Sequence, residues 1–79
     1  MAKLLLLGPA REAAGTGHDE VEGATVRDVM RAACDRYGER FEAIVATSQI
    51  WVNRDVADET TRVGPHDEVA VLPPVSGGC

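Results

Sequence analysis

The hydrophobic positions of the chain change their period along its length, and the most regular stretch predicts a helix over residues 26–37. Thr25 can accept a backbone hydrogen bond at the amino end, with Asp28 three residues further on, as helix starts favour. Gly38 stands where a left-handed cap would end the helix. Spacings of three and four place the apolar residues on one helix face; they are Val26, Val29, Met30, Ala33, Cys34 and Tyr37.

The first quarter of the chain predicts two strands around a short helical turn. The leucine run Leu4–Leu7 is closed by Gly-Pro, and because Pro9 cannot continue a helix begun in the run, we predict a strand buried on both faces. Residues 11–14 can form one helical turn, which Gly15 stops. Residues 18–22 are rich in acidic side chains and predict a short edge strand.

The second half of the chain changes to a β pattern. The β-branched and aromatic segment 50–52 is followed by turn-forming residues at 53–55, and the apolar pattern resumes at Val56, which predicts a tight hairpin. Gly-Pro-His-Asp at 64–67 predicts another turn. The apolar segment 69–72 predicts the last strand, which a double proline ends.

This order of elements predicts an α+β fold. We expect a mixed sheet of four to five strands with one main helix packed across one face. The first and last strands are the most apolar, so they should be neighbours at its centre. Phe41, Ile44 and Val45 should pack a short second helical turn onto the core. A chain of 79 residues holds one domain, which we place at 1–72, followed by an extended, flexible tail at 73–79.

Composition excludes several classes of function. Eight basic and thirteen acidic residues give a net charge of −5, which repels phosphate backbones and argues against nucleic-acid binding. Four consecutive leucines fall far short of the roughly 18 apolar residues of a membrane span. Cys34 and Cys79 are too few for a disulfide framework or a four-thiolate metal site, and His18 and His66 lack ligand-spaced partners. We therefore expect a cytoplasmic protein without a metal.

The tail, Pro-Pro-Val-Ser-Gly-Gly-Cys, carries the candidate chemistry. Its prolines favour an extended backbone, and six extended residues reach about 20 Å. Glycine lacks a Cβ atom, so such a tail can enter a channel too narrow for other residues. A partner enzyme could then act on the terminal carboxyl group, which must first be activated, most simply as an acyl-adenylate. The alternative is a frayed terminus without function.

The sequence resembles the small subunit of molybdopterin synthase, the MoaD branch of the β-grasp sulfur carriers related to ThiS and ubiquitin. The resemblance covers essentially the whole chain. It depends on Leu4–Leu7 leading to Ala-Arg-Glu at 10–12, the helix start at 25–28, Asp-Glu-Val-Ala at 67–70 and, above all, the segment 73–78. It implies a β-grasp fold, and the double proline favours the molybdopterin branch over thiamine carriers.

The resemblance also implies a cycle of sulfur transfer through Gly78. An adenylyltransferase related to ubiquitin-activating enzymes uses MgATP to adenylate this glycine, and a sulfurtransferase system replaces AMP to leave a thiocarboxylate. The tail, kept narrow by Gly77, then enters the large subunit of molybdopterin synthase and donates sulfur to a pterin. The carrier itself is a non-catalytic subunit that binds no cofactor of its own.

The family's partner-binding positions fall on both the domain and the tail. In the domain they align with Leu7, Val56 and Leu72, although Leu7 fits an ordinary core position equally well. In the tail they continue into the segment that precedes the glycines, which consists of Pro73, Pro74 and Val75.

Cys79 departs from the family pattern, because most members end on the second glycine. Here the Gly78 carboxyl group is held in a peptide bond, and an amide cannot be adenylated. Our hypothesis is that a JAMM-type zinc peptidase removes Cys79. The alternatives are a thiol that carries a persulfide, a cysteine that bridges two chains, or an inert extension.

Other functions remain open from the sequence. The same fold and tail suit a sulfur carrier for cysteine or thiamine biosynthesis, because the sulfur chemistry is identical and only the docked partner differs. They also suit a ubiquitin-like modifier joined through Gly78 to lysines of target proteins. A plain interaction module is the remaining alternative.

Overall fold

Strands from the two ends of the chain meet at the centre of one sheet. The computed structural model describes residues 1–74 of the 79. Its five strands and three helices follow the chain in the order β1 Ala2–Leu6, α1 Gly8–Ala14, β2 His18–Val21, α2 Val26–Tyr37, α3 Glu39–Val45, β3 Gln49–Val52, β4 Asp55–Ala57 and β5 Glu68–Leu72.

The sheet has the strand order β2-β1-β5-β3-β4. β1 and β5 are parallel, with Leu4 opposite Val69, and the other three pairings are antiparallel. The first and last strands are therefore neighbours and β5 is central, as the apolar content of the two segments predicts. β2 and β4 form the edges, which confirms the prediction of an acidic edge strand over 18–22.

The core lies between one face of the sheet and the helices. Alternate strand residues, such as Leu4, Leu6 and Val69, form a single buried cluster with α2 and with Phe41 of α3. A mixed five-stranded sheet with a helix packed across one face is the β-grasp, ubiquitin-like fold, so the predicted fold class is confirmed.

The prediction that the leucine run is buried on both faces is wrong. β1 ends at Leu6, and Leu7 is the residue that precedes α1, in an extended conformation. Leu4 and Leu6 are buried, whereas Leu5 is half-buried and Leu7 is 40% exposed. The two pairs differ because successive strand residues point to opposite faces, and the buried cluster includes only Leu4 and Leu6.

The main helix has the predicted bounds, Val26–Tyr37, and the predicted cap. The Asp28 amide donates a hydrogen bond to Thr25 Oγ1 at 3.3 Å. Gly38 differs from the expected left-handed cap, because its φ of 94° is combined with a ψ of −172°. α3 begins directly at Glu39, so the chain must change direction at this residue, in a backbone region that is essentially restricted to glycine.

The first helix is longer than the predicted single turn. α1 begins at Gly8, with Pro9 in its first turn, where the missing N–H would have no helical partner anyway. The helix ends as predicted at Gly15, whose φ of 78° is left-handed.

The predicted hairpin is present between β3 and β4, and a polar network attaches it to β5. Asn53 Nδ2 donates to Asp67 Oδ1 at 2.9 Å, and the Glu68 amide donates to Asn53 Oδ1 at 3.0 Å. The Gly64 amide donates to Asp67 Oδ2 at 2.7 Å, within the predicted turn at 64–67. These donors, Asn53 foremost, hold the pKa of Asp67 below its ordinary value.

The edge strand β2 is attached to the end of α2 through Asp19. The Tyr37 hydroxyl donates to Asp19 Oδ2, and Arg36 Nη1 lies 2.6 Å from the same oxygen. These two donors, Tyr37 first, lower the pKa of Asp19 to about 2. Burial, and then the same hydrogen bond, raises the pKa of Tyr37. The contacts place the β2 edge against the carboxyl end of α2.

The helices of residues 1–74 are all too short or too polar to cross a membrane.

Gly23 provides a test of how tightly α2 packs against the loop before it. A Cβ atom at this position would lie 2.7 Å from the Val29 amide nitrogen and 2.8 Å from Val29 Cγ2. We expect Gly23→Ala to lower the free energy of unfolding by about 1–3 kcal/mol, because backbone must move to relieve the overlap.

The matched control is Gly64→Ala, where the nearest atom, Asp67 Oδ2, would lie at an ordinary 3.6 Å. This variant should unfold at the wild-type urea concentration or slightly above it, since alanine restricts the unfolded chain. Equal unfolding midpoints for the two variants would contradict the assigned packing.

Candidate functional site

The chain leaves the domain from the central strand. β5 ends at Leu72, after which Pro73 is half-buried and Pro74 is exposed. The predicted tail residues Val75, Gly77, Gly78 and Cys79 lie outside the residues that the structure describes, and the roles proposed for them stay predictions. What the structure defines is the surface from which the tail departs.

A row of side chains crosses all five strands on the face of the sheet opposite the core. Directly paired residues share a face of a sheet, so the strand registers define this row. Its members, from one edge to the other, are His18, Leu5, Ala70, Trp51 and Val56.

Leu7 and Leu72 extend this row toward the departure of the tail. β1 and β5 run parallel, with Leu6 opposite Val71, so their carboxyl ends lie at the same edge. Leu7 and Leu72 line one cleft of about 490 Å³ together with Leu5, Trp51 and Ala70. We call the apolar set Leu5, Leu7, Trp51, Val56, Ala70 and Leu72 the open-face patch.

Two of the predicted partner-binding residues have unusual exposure for apolar side chains. Val56 is 69% exposed and Leu7 is 40% exposed, and among the large apolar residues in the described part of the chain only Met1 is exposed with them. Leu72 is half-buried. Leu7 is therefore not a core residue. Of the two interpretations that the sequence left open for Leu7, a core position is excluded and a partner-binding position is left. A contiguous exposed apolar surface is typical of a protein-binding site.

Sequence reasoning missed Leu5, Trp51 and Ala70 as members of this surface. The sequence predicted a strand at 50–52 without assigning the face on which Trp51 lies; this side chain is half-buried on the face opposite the core and pairs with Val56. The missed signal was alternation: once Leu4 is assigned to the core, Leu5 and Leu7 must share the other face. Which face the helices cover could not be read from the run itself.

Charged side chains border the cleft but form no catalytic cluster. Arg54, His18 and Glu68 line it together with the apolar residues. Within residues 1–74, no group of three or more His, Cys, Asp or Glu side chains is arranged to hold a metal ion. The apolar lining of the cleft, bordered by charged side chains, is suited to binding a protein.

Cys34, the cysteine in the described part of the chain, is half-buried on α2. Burial, followed by the nearby carboxylates of Glu42 and Asp35, raises the pKa of its thiol. A raised pKa disfavours the reactive thiolate, which agrees with a packing role for this side chain.

Comparison with known proteins identifies relatives along nearly the whole chain. The ThiS family model matches residues 4–78. Small archaeal modifier protein 1 from Methanosarcina acetivorans is 27% identical and superposes with a TM-score of 0.88, over 98% of this chain and 95% of that one. A putative molybdopterin converting factor, subunit 1, from Pyrococcus furiosus is 29% identical, with a TM-score of 0.81 over 94% and 97% of the two chains.

A further similar structure is a protein–protein complex of subunits 1 and 2 of the molybdopterin-converting factor from Helicobacter pylori 26695. The TM-score is 0.71 and the identity 20%, over 98% of this chain and 97% of that chain. At this identity the likeness shows a shared fold. It also shows that a neighbour of this fold is found in complex with a partner subunit.

The adjacent leucines Leu4 and Leu5 test the assignment of the two faces. Leu4 is 1% exposed in the core, so Leu4→Ala should lower the free energy of unfolding by about 2–5 kcal/mol. Leu5 is half-buried on the open face, so Leu5→Ala should cost only about 1 kcal/mol, since less apolar area is lost. Urea unfolding of the two variants makes the comparison, and similar losses would show that both faces are covered.

Proposed function

The chain belongs to the ThiS family of ubiquitin-like sulfur carriers and modifiers, and from this membership we propose that it is the small subunit of molybdopterin synthase. In this role the domain docks on partner proteins, and Gly78 carries sulfur as a thiocarboxylate. The observation that carries the proposal is the open-face patch, which reaches the edge of the sheet at which the tail departs.

The position of the patch explains how the domain can hold a partner while the tail reaches the partner's active site. A partner that covers Leu7 and Leu72 holds the end of β5, and the residues beyond Pro74 are then directed into that partner. Docking removes apolar side chains from water and positions the tail at the same time, which converts the reaction into an effectively intramolecular one. The domain therefore contributes binding and positioning, and the partner contributes catalysis.

Sulfur loading at Gly78 takes place in two steps. In the first, the Gly78 carboxylate attacks the α-phosphorus of MgATP on an adenylyltransferase, which forms an acyl-adenylate and releases pyrophosphate. In the second, sulfur at the oxidation level of hydrosulfide, delivered by a sulfurtransferase, displaces AMP and leaves the thiocarboxylate. The loaded tail then enters the large synthase subunit, where its sulfur forms a bond to a pterin carbon. Water then hydrolyses the resulting thioester at the Gly78 carbonyl, which leaves the sulfur on the pterin and regenerates the carboxylate.

Two features support molybdopterin as the destination of the sulfur. The double proline before the glycines is the pattern that distinguishes this branch by resemblance, and a similar structure is a putative molybdopterin converting factor subunit. Sulfur transfer to cysteine or thiamine precursors would use the same chemistry at Gly78. Formation of a complex with the large synthase subunit separates these pathways.

A ubiquitin-like modifier is the second candidate function. It is favoured by the similarity to small archaeal modifier protein 1 at 27% identity. A modifier forms amide bonds between Gly78 and lysines of its targets, whereas a sulfur carrier remains a single small protein. Immunoblots of native cells would show a ladder of thiol-resistant conjugates in the first case and one small band in the second.

Removal of Cys79 is required before Gly78 can be adenylated. We expect intact-mass measurement of the protein from its native cells to show the loss of one cysteine residue, and in part of the sample a further replacement of oxygen by sulfur. Deletion of a JAMM-type peptidase should restore the full-length mass. The full-length 79-residue form alone, in cells that make molybdopterin, would contradict the processing hypothesis.

Gly78→Ala tests the reaction at the tail itself, in a chain that ends at residue 78. The added methyl group obstructs a channel shaped for glycine, and we expect thiocarboxylate formation to slow about ten- to a hundredfold, as small displacements of reacting groups do. The urea unfolding midpoint should not change. Ser76→Ala in the same tail is the control and should load at close to the wild-type rate, whereas equal loading of the two variants would contradict the requirement for glycine at position 78.

A further inference from the structure

We infer that Arg54 strengthens and orients the docking of a partner on the open-face patch, by pairing with a carboxylate on the partner protein at the rim of the patch. The inference rests on the proposed function, since it takes the large synthase subunit as that partner. Three features of Arg54 lead to it: its backbone conformation, its place in the cleft and its charge.

The backbone of the β3–β4 turn is unfavourable for an arginine. Asn53 has a φ of 50° and Arg54 a φ of 72°, the signature of a two-residue turn with both central residues in the left-handed region. Asparagine tolerates this region, and the second position of such turns strongly favours glycine. Arg54 thus occupies a position where glycine would stabilise the fold. A strained backbone that a single substitution by glycine could relieve indicates that the arginine has a functional role.

The strained turn directs Arg54 to the candidate site. The residue lines the same cleft as Trp51, Leu7 and Leu72, beside the row that crosses the sheet. An arginine here extends the patch with the flat, forked donor geometry that suits a carboxylate.

The charge of Arg54 is not neutralised inside the described domain. The ion pairs among residues 1–74 use Arg27 and Arg36. Glu68 and His18 are the other titratable groups that line the cleft, and Glu68 is not within ion-pair distance of Arg54. A partner carboxylate placed here would pair with Arg54 while the surrounding apolar contacts exclude water, which strengthens the attraction.

This arrangement identifies the chemistry of the partner surface. The partner presents apolar side chains to the open-face patch and an Asp or Glu to Arg54. Because the carrier as a whole has a net charge of −5, an acidic group on its partner is repelled everywhere except near a local cation. Arg54 therefore orients the encounter as well as stabilising the complex.

The test compares Arg54→Gly with Arg40→Ala, using the large molybdopterin synthase subunit of the same organism as the binding probe. Arg40 is exposed on α3, so both variants lose one positive charge, at the rim of the patch in one case and away from it in the other. We expect Arg54→Gly to raise the dissociation constant about tenfold at low salt and less at high salt, because the ion pair is screened. Arg40→Ala should bind like the wild type, and Arg54→Lys should retain part of the affinity.

Stability measurements distinguish this role from a structural one. Arg54→Gly should raise the urea unfolding midpoint, because glycine adopts the left-handed backbone without strain. A lower midpoint would show that the arginine supports the fold and would overturn the inference. So would unchanged binding of Arg54→Gly to the large subunit. Failure of the wild-type protein itself to bind that subunit would instead count against the proposed function.

Discussion

The parallel pairing of β1 with β5 is the constraint on which the rest of the structure depends. It joins residues more than sixty positions apart in sequence, Leu4 with Val69 and Leu6 with Val71, and closes the core over α2. Because the two strands run in the same direction, their carboxyl ends coincide at one edge. Leu7 and Leu72 therefore share a cleft, and the tail departs beside it.

Each central strand contributes to two surfaces at once. Leu4 and Leu6 are buried beneath the helices, whereas Leu5 belongs to the open-face patch. A domain of this size has a small free energy of unfolding. Folding alone therefore does not explain why apolar residues are left uncovered on one face of the sheet. The docking that we propose provides a reason, since it would remove the same residues from water and hold the end of β5 against the partner.

The polar network of Asn53, Asp67 and Gly64 connects the hairpin turn to the central strand. Asn53 satisfies a donor and an acceptor on the β5 side, at 2.9 and 3.0 Å, and this anchoring allows the adjacent residue to hold a left-handed conformation. The site is thus built on strands and on a turn attached to them, which gives it the rigidity that a docking surface requires.

Local patterns in the sequence were enough to predict α2 with its amino-terminal cap, the hairpin and the turn at 64–67, because helix periodicity and turn-forming residues act over a few neighbouring positions. The chemistry proposed for Gly78 came from the resemblance to a family and stays a prediction. The local patterns predicted the wrong environment for Leu5 and Leu7 and the wrong backbone for Gly38. Alternation shows which residues share a face of a strand, but only the packing of distant helices decides which face is covered. The open-face patch, with Trp51 and Arg54 in it, was therefore decided by tertiary structure, since it is formed by pairings between strands that lie far apart in the chain.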